Sequence, residues 1–310
     1  MTAPATVERA ARPAVVRPPK RPPIQYVPLS TGRRLAQGLF QMVAVVLLAF
    51  VLDVGVVSHL QHAVAQQQLY NTLRAQLAEG VLPVSEGNVD DILLADGVPV
   101  AYLEIPEIGL REVIVEGSDS GTLMSGPGHR RDTVLPGQEG FSVILGRAAA
   151  FGGPFSRIQE LPPGSEFTVV TGQGEQTFRT IGVRYAGDPT PPAVQPGESR
   201  LVLQTARGVS FLPSGVMYLD AELVGDAQAR GARQTTVASL PDADLALGVD
   251  TSTVWALVFA LQFLIAVELA AVLTRPRIGP RKAWIVFAPL ITLGGLWVAT
   301  QLVLLLPNLL

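Results

Sequence analysis

The clearest indication of the fold is the run Arg200-Leu201-Val202-Leu203-Gln204-Thr205, which precedes Ala206 and has the length and apolar content of a buried β-strand. Six further β-rich runs, separated by glycine and proline, surround it in the chain. They cover residues 98–105, 111–115, 141–145, 166–170, 176–183 and 216–224. Short strands with turn residues between them predict an all-β barrel or sandwich over residues 98–225.

The segments on either side of this β-rich domain have a different texture. Leucines and valines recur at helical spacing over residues 61–80, which predicts an amphipathic helix rising from a membrane. Residues 59–97 are therefore interpreted as a stalk helix and a linker. Residues 226–252 are polar and predict a second linker.

Three apolar segments are long enough to cross a bilayer, which takes about 20 helical residues. They are residues 39–58, 253–274 and 283–307. The composition agrees, because the chain is 48% hydrophobic and only 16% charged, with a mean hydropathy of +0.35. The sequence predicts a multi-pass protein whose first partner is the lipid bilayer. Its net charge of -3 argues against nucleic acid as a partner.

Basic residues predict the orientation in the membrane. Residues 1–38 are rich in arginine and proline and predict a disordered basic tail, and four basic residues crowd the short loop 275–282. The positive-inside rule places both in the cytoplasm and the β-rich domain outside the plasma membrane. The tail acts as a topology signal only, or also binds anionic lipid or a cytosolic partner. A cleaved signal peptide is the alternative to the first span, but the apolar run is long for one.

The chain contains no cysteine, which excludes disulfides, thiolate metal sites and thiol catalysis. His59 and His62 stand three residues apart on the predicted stalk. A metal pair needs a third ligand and none is near, so solvated stalk histidines are the preferred interpretation. The acidic residues of the β-rich domain lack the alternation of a calcium loop and are expected on a solvated surface. No metal or cofactor is predicted.

The turns between the predicted strands carry distinctive residues in a fixed order. They are Leu103-Glu104-Ile105-Pro106-Glu107-Ile108-Gly109-Leu110, Gly126-Pro127-Gly128-His129, Pro136-Gly137-Gln138, Gly146 followed by Phe151-Gly152-Gly153-Pro154-Phe155, and Ala221-Glu222-Leu223-Val224. In this order they resemble the sortases, above all the class E type of Gram-positive actinobacteria. The resemblance covers residues 98–224. It implies a closed barrel of about eight strands on the outer face of the plasma membrane.

Sortases cut an LPXTG-like sorting peptide through a cysteine thioester and join it to a cell-wall amine. The resemblance places Arg147 at the position of the catalytic histidine, Ala206 at that of the cysteine and Val216, by counting back from Ala221, at that of the arginine. Alanine cannot form a thioester, and arginine stays protonated and cannot act as a base. The resemblance therefore implies a pseudoenzyme with no catalytic residue left.

Several residues are candidates for binding instead. In the former groove they are Arg147, Thr205 and His129. Arg147 either holds a carboxylate, such as a peptide C-terminus or an acidic partner loop, or fills the abandoned site and faces water. His129 is also the histidine of a conceivable relocated Ser/His site, which is disfavoured because its turn is structural in sortases.

Polar residues within the predicted spans point to an intramembrane partner. They are Glu268, Gln262 and Gln301. Each is costly in lipid unless it is paired. For Glu268 the alternative is that the carboxylate reaches toward Arg275 or Arg277 at the cytoplasmic surface.

Three functions follow from these observations. The preferred one is a non-catalytic partner at the cell envelope that binds a sorting-signal-like peptide or a membrane or envelope protein. The second is a structural subunit of a multi-protein envelope or membrane complex. The third is a transpeptidase with unfamiliar, non-cysteine chemistry.

Overall fold

The computed structural model describes residues 31–88, 90 and 92–310, so residues 1–30 of the predicted disordered tail lie outside the described part. Eight strands form a closed barrel. They are β1 (Pro99–Ile105), β2 (Leu110–Glu116), β3 (Gly128–His129), β4 (Gly140–Leu145), β5 (Glu166–Thr171), β6 (Gly174–Tyr185), β7 (Ser199–Val209) and β8 (Leu212–Leu223). The predicted closed barrel of about eight strands is confirmed.

The strands follow one another around the barrel in the order β1-β2-β3-β4-β7-β8-β6-β5, and β5 closes onto β1. The pairs β2–β3 and β4–β7 are parallel, and the others are antiparallel. Each of the seven apolar runs in the sequence coincides with one strand. The eighth strand, β3, is only two residues long, too short to show a period of its own.

The interior of the barrel is filled by side chains from every long strand, because alternate residues of a strand point to the same face. In β1, Leu103 and Ile105 are fully buried, and Leu201 and Leu203 of β7 belong to the same cluster. The rings of Phe167 and Phe178 stack with their centroids 5.9 Å apart. This core accounts for the closed shape.

Four long helices accompany the barrel. They are α1 (Thr31–Leu52), α2 (Ser58–Glu79), α3 (Val254–Ile278) and α4 (Pro280–Leu304). One turn of π-helix, Asp53–Val57, joins α1 to α2, so the first predicted span and the predicted stalk form one continuous helix. Gly80, in the left-handed conformation with φ of 70°, ends it.

Three of these helical segments are long and apolar enough to span a membrane: Ala36–Glu79, Val254–Ile278 and Pro280–Leu304. Small residues of α4 allow the helices to approach closely. A Cβ on Gly294 would lie 3.2 Å from Leu264 of α3, and one on Gly295 would lie 3.1 Å from Val45 of α1. Close packing of this kind is what holds helices together in lipid, where the hydrophobic effect supplies no driving force.

Helix α2 lies against the barrel rather than standing free in solvent. Leu73 is 2% exposed and packs with Leu82 and with Val113 of β2. Gln66 clamps the same strand, since its amide donates to the Val113 carbonyl at 3.1 Å and accepts from the Val113 N–H at 2.7 Å. The helix therefore packs on the β1–β2 hairpin through Leu69 and Leu73. The other apolar positions of the predicted amphipathic pattern, Leu60, Val64 and Leu77, are exposed, so the prediction is wrong for them.

The expectation of solvated stalk histidines is wrong for His62. It is 5% exposed, and its Nε2 lies 3.0 Å from Oε1 of Glu112 on β2. His59 accepts a hydrogen bond from the Gly152 N–H at 3.1 Å. Both histidines fix the helix to the barrel. No cluster of three metal-ligating side chains occurs within residues 31–88, 90 and 92–310.

The two predicted linkers also pack on the barrel. Glu86 accepts hydrogen bonds from the main-chain N–H groups of Gln234 and Thr235. Arg233 donates to the carbonyls of Thr133 and Arg131. The segment interpreted as a second linker is therefore held in place around residues 233–235, because its polar groups find partners on the protein instead of in water.

Candidate functional site

The site begins in the loop that follows β4. Gly146 opens this loop, and only glycine fits there, because a Cβ would lie 2.4 Å from the ring of Phe155. The hydroxyl of Thr205 donates to the Gly146 carbonyl at 2.7 Å, and the Gly146 N–H donates to the Gln204 carbonyl at 2.9 Å. These contacts hold the loop against the end of β7 and direct Arg147 inward.

Arg147 is completely buried, with an exposed fraction of 0%. Its guanidinium donates to the main-chain oxygens of Ser120 at 2.7 Å, Leu310 at 2.9 Å and Leu123 at 3.3 Å, and to the Ser120 hydroxyl at 2.9 Å. The ring of Phe151 covers it, 4.9 Å from the guanidinium carbon. The interpretation in which this arginine faces water is wrong.

The charge of Arg147 is stabilised by hydrogen-bond acceptors. Burial lowers its pKa to about 10, against a smaller opposing effect of Asp119, so the guanidinium is still protonated at neutral pH. Within the described residues, no aspartate or glutamate side chain lies within ion-pair distance of it. Each hydrogen bond to a charged group contributes about 1.5–3 kcal/mol, and together these bonds offset part of the loss of solvation.

The other two site positions face each other on neighbouring strands. Ala206 on β7 pairs directly with Val216 on β8. Both pack against a buried cluster formed by Leu123, Val143, Leu145 and Leu309, called the apolar socket below. This corner of the barrel is therefore lined by hydrocarbon from both strands.

Residues 305–310, called the groove segment below, occupy this corner. They follow α4 directly, and Leu309 is 0% exposed within the apolar socket. The Ala148 N–H donates to the Leu309 carbonyl at 2.9 Å, and the Asn308 N–H donates to the Gly248 carbonyl at 2.9 Å. The groove segment thus binds by main-chain hydrogen bonds on both sides.

Asn308 supplies the most specific contact of the groove segment. Its side-chain amide donates to the carbonyls of Ser118 at 2.7 Å, Leu245 at 2.9 Å and Ala243 at 3.3 Å. The residue is 0% exposed. Three converging carbonyls require a donor, so this position accepts an amide and rejects a carboxylate.

A pocket of about 150 Å³ continues beyond the groove segment. Its walls come from the loop after β4, from the β7–β8 hairpin and from Leu310. The lining includes Ala148, Phe155, Thr205, Ala206, Phe211 and Leu310. The groove is therefore filled at the apolar socket and open next to it.

Backbone strain is concentrated around this groove. The non-glycine residues with left-handed φ in the described part of the chain are Phe151 at 50°, Phe211 at 65° and Leu247 at 61°. Phe151 covers Arg147, Phe211 lines the pocket, and Leu247 packs against the apolar socket. Strained conformations of this kind cost about 1–3 kcal/mol each and cluster at ligand sites.

The structure separates the three predicted groove residues. Arg147 and Thr205 lie at the site, but the Thr205 hydroxyl is already used by Gly146. His129 is 1% exposed on β3, and its ring nitrogens contact Glu116 at 2.8 Å and the Val134 carbonyl at 2.9 Å. Its role in binding finds no support. Glu116 is itself 0% exposed, so the expected solvated surface is wrong for this residue.

The polar residues of the spans lie in three different settings. Glu268 is half-buried, and its carboxylate approaches α1 where Gly38 leaves room, since a Cβ there would lie 2.7 Å from Oε1. Its neighbour is thus a helix of the same chain. Gln301 is half-buried and Gln262 is exposed on the outer surface of α3.

The groove segment has little local signature, and the third predicted span extends over part of it to residue 307, whereas α4 ends at Leu304. The signal that could have revealed it is Pro307-Asn308, a pair that ends helices and that here follows the last apolar residues of α4. What the segment binds is set by long-range contacts that no local pattern contains.

Comparison with known proteins identifies the barrel. Residues 103–209 match the family model of the sortase domain. Sortase D of Bacillus subtilis (strain 168) is 30% identical over 118 residues, which are 37% of this chain and 58% of that protein. The chain thus spans less than two thirds of the length of this curated relative. With the eight-strand topology, the match confirms a barrel of the sortase fold.

Solved structures of sortases are also similar to the chain, at lower identity. A sortase D5 transpeptidase of Clostridium perfringens superposes with a TM-score of 0.40 and 18% identity over 53% of this chain and 98% of that chain. Sortase E1 of Streptomyces coelicolor, solved with a tripeptide in its active site, gives a TM-score of 0.37 and 20% identity over 43% and 92%.

Proposed function

We propose that this protein is a membrane-anchored, non-catalytic sortase-like protein whose groove binds a peptide or protein segment at the outer face of the cell envelope. The observation that carries the proposal is the corner formed by Ala206 and Val216, which holds an apolar side chain where a transpeptidase needs a nucleophile. Class E of the actinobacterial sortases is the proposed subgroup.

The chemistry of the corner supports the absence of transpeptidation. Acyl transfer needs a nucleophile, a proton acceptor and a group that stabilises the oxyanion. Ala206 offers a methyl group and Val216 an isopropyl group. Arg147 is protonated and committed to main-chain oxygens. Loss of the nucleophile and its proton-transfer partner removes a factor on the order of 10⁴ to 10⁶ in rate.

The contacts of the groove segment support a role in binding. The site holds a peptide segment through main-chain hydrogen bonds, an amide pocket for Asn308 and the apolar socket for Leu309. The segment also contains Leu306-Pro307, the two residues with which an LPXTG-like sorting peptide begins. The groove therefore has the contacts for binding a peptide but no nucleophile to cleave it.

An assay of peptide cleavage and transfer tests this function. The purified full-length protein is incubated in detergent with LPXTG-type peptides and an amine acceptor, and no transfer product is expected by mass spectrometry. A matched sample carries Arg147→His, Ala206→Cys and Val216→Arg together, which places at these three positions the residues that the resemblance assigns to a catalytic sortase. Turnover by the unsubstituted chain that is abolished by a change in the groove would establish the third hypothesis, an unfamiliar transpeptidase, in its place.

A structural role in a larger envelope complex is the second candidate. It is favoured by the firm attachment of the barrel, which is tied to the membrane helices through α2 and through the groove segment. Copurification from native membranes after crosslinking distinguishes the two functions. Gln159 also lines the pocket, so Gln159→Trp is expected to fill it. A stoichiometric partner that is retained in this variant supports the structural role, and a partner that is lost supports binding in the groove.

The proposed location is the plasma membrane, with the barrel outside. The last turn of α4 lies on the barrel side, where Val303 packs with Phe151, and the basic loop 275–282 lies at the other end of the helix. This agrees with the positive-inside rule. The proposed partners are the bilayer, a membrane or envelope protein and a sorting-signal-like peptide. A partner within the bilayer would contact Gln262, which is exposed on α3.

A further inference from the structure

We propose that residues 305–310 are an intramolecular ligand that closes the groove, and that a peptide of the same chemistry, leaving the outer end of a membrane helix of another protein, replaces them in trans. This inference deepens the proposed function and rests on it. It assigns both the resident occupant of the groove and the class of peptide that competes with it.

The first support is that the three positions at which this chain lacks the catalytic residues surround the groove segment. Arg147 donates to the main-chain oxygen of Leu310. Ala206 lines the same pocket as Leu310, and Ala206 and Val216 pack against the cluster that contains Leu309. Side chains unsuited to catalysis are thus the ones suited to holding this segment.

The second support is the selectivity of the contacts. The apolar socket accepts a leucine, and the carbonyls of Ser118, Ala243 and Leu245 accept only a donor at position 308. The side-chain oxygen of Asn308 is buried without a hydrogen-bond partner in the described part of the chain, so the amide nitrogen alone provides the recognition. A Pro-Asn-Leu-Leu sequence fits these requirements.

The third support is the position of the groove at the membrane. Phe151, which covers Arg147, packs in one cluster with Val54 of the π-helical turn and Val303 of α4. The resident segment enters the groove directly from α4. A competing peptide therefore has the same route if it, too, follows a membrane helix, and this defines the partner as a membrane protein.

A single introduced thiol reports whether the groove is closed, because the chain has no cysteine of its own. In the full-length protein carrying Ala206→Cys, the thiol at position 206 is half-buried between the groove segment and the open pocket, so it is expected to react with a maleimide more slowly than an exposed thiol does. Adding Asn308→Asp puts a carboxylate against three carbonyls in a nearly isosteric side chain. The labelling rate is expected to rise by about 10-fold or more, since several hydrogen bonds are lost.

Two matched variants control this measurement. Ser214→Cys on the exposed β7–β8 hairpin reports general reactivity, and its rate should be the same with and without Asn308→Asp. Asn71→Asp makes the same chemical change on the exposed surface of α2 and should leave the labelling rate at position 206 unaltered. If the thiol at position 206 reacts equally fast with and without Asn308→Asp, the groove segment does not close the site.

A synthetic peptide tests replacement in trans. The blocked peptide Leu-Leu-Pro-Asn-Leu-Leu should protect the introduced thiol in the chain that carries both Ala206→Cys and Asn308→Asp, and the same peptide with Asp in place of Asn should not. Equal protection by both peptides, or protection by neither, overturns the assignment of the ligand. The proposed function fails separately, by turnover of the unsubstituted chain in the transfer assay, so the two failures are distinguishable.

Discussion

At the scale of single residues, Arg147 is a structural centre of the folded chain. It joins residues 120–123, the loop after β4 and the groove segment, three parts of the chain that no local contact brings together. Its charge stays buried because four oxygen acceptors replace water. The planar guanidinium suits this arrangement, since its donors point in several fixed directions.

Arg147→Lys is expected to destabilise the barrel, although it keeps the charge. An ammonium group cannot reach acceptors that lie on different sides of a guanidinium, so buried carbonyls lose their partners and the free energy of unfolding falls by about 2–4 kcal/mol. Chemical denaturation of the full-length protein in detergent measures this. Arg157→Lys on the exposed surface is the control and should leave the midpoint unchanged; equal midpoints for both variants would contradict the buried geometry.

The raised pKa of Asp244 makes the free energy of unfolding depend on pH. Burial, followed by the nearby charges of Asp119 and Asp96, raises its pKa from 3.8 to about 6. Because the folded state binds this proton more tightly than the unfolded state, the contribution to stability is full below pH 3.8 and is lost as the pH rises to about 6.

Asp244 accepts a hydrogen bond from the Ser118 N–H through Oδ1 at 3.3 Å. The variant Asp244→Asn isolates the contribution of ionisation, since an amide cannot ionise and its oxygen can still accept this bond. Thermal unfolding of variant and unsubstituted protein is compared from about pH 4 to about pH 7, the range that contains the raised pKa. The stability of the variant relative to the unsubstituted protein should increase over this range. A difference that stays constant with pH would show that Asp244 titrates with an ordinary pKa.

At the scale of elements, helix α2 shows what a sequence pattern can and cannot predict. Leucine spacing predicts the helix, but the surface that it covers depends on β2, which lies about 40 residues further along the chain. The same holds for His62, whose partner Glu112 has no local signature. The other barrel strands were predictable because each is an apolar run between turns, whereas β3 is defined by its pairing with β2 and β4.

The candidate site also has one part that the sequence can predict and another that it cannot. The prediction for Ala206 rests on the end of its strand and on a resemblance in the surrounding turns, both of which are local. The burial of Arg147 and the path of the groove segment depend on contacts between residues as far as 190 positions apart. Such contacts are products of the closed fold, and a single sequence carries no direct record of them.

Leu73→Ala tests the attachment of α2. Leu73 is 2% exposed between the helix and β2, so removing its side chain leaves a cavity and should lower the free energy of unfolding by about 2–5 kcal/mol. Leu77, one turn further, is 36% exposed, and Leu77→Ala should change it by less than about 0.5 kcal/mol. Denaturation midpoints that fall equally would indicate that the helix does not pack through Leu73.

At the scale of the whole molecule, the proposed orientation predicts which residues a reagent can reach from outside the cell and which it can reach only from the cytoplasm. The chain has no cysteine, so single cysteines can be placed at will. Ser214→Cys on the barrel should be labelled by a membrane-impermeant maleimide in intact cells, and Lys282→Cys in the basic loop only after permeabilisation. The reverse pattern would invert the topology, and labelling of both positions in intact cells would contradict the spans.

The direct connection between α4 and the groove segment has a consequence for competition. A ligand tethered this closely experiences an effective concentration on the order of millimolar, independent of how much protein is present. A free peptide of the same intrinsic affinity must therefore exceed this effective concentration before it occupies the groove. A peptide that binds more tightly needs a proportionally lower concentration. A membrane-bound competitor gains from its confinement to the same surface, but it succeeds only by binding more tightly or when a displacement of α4 withdraws the resident segment.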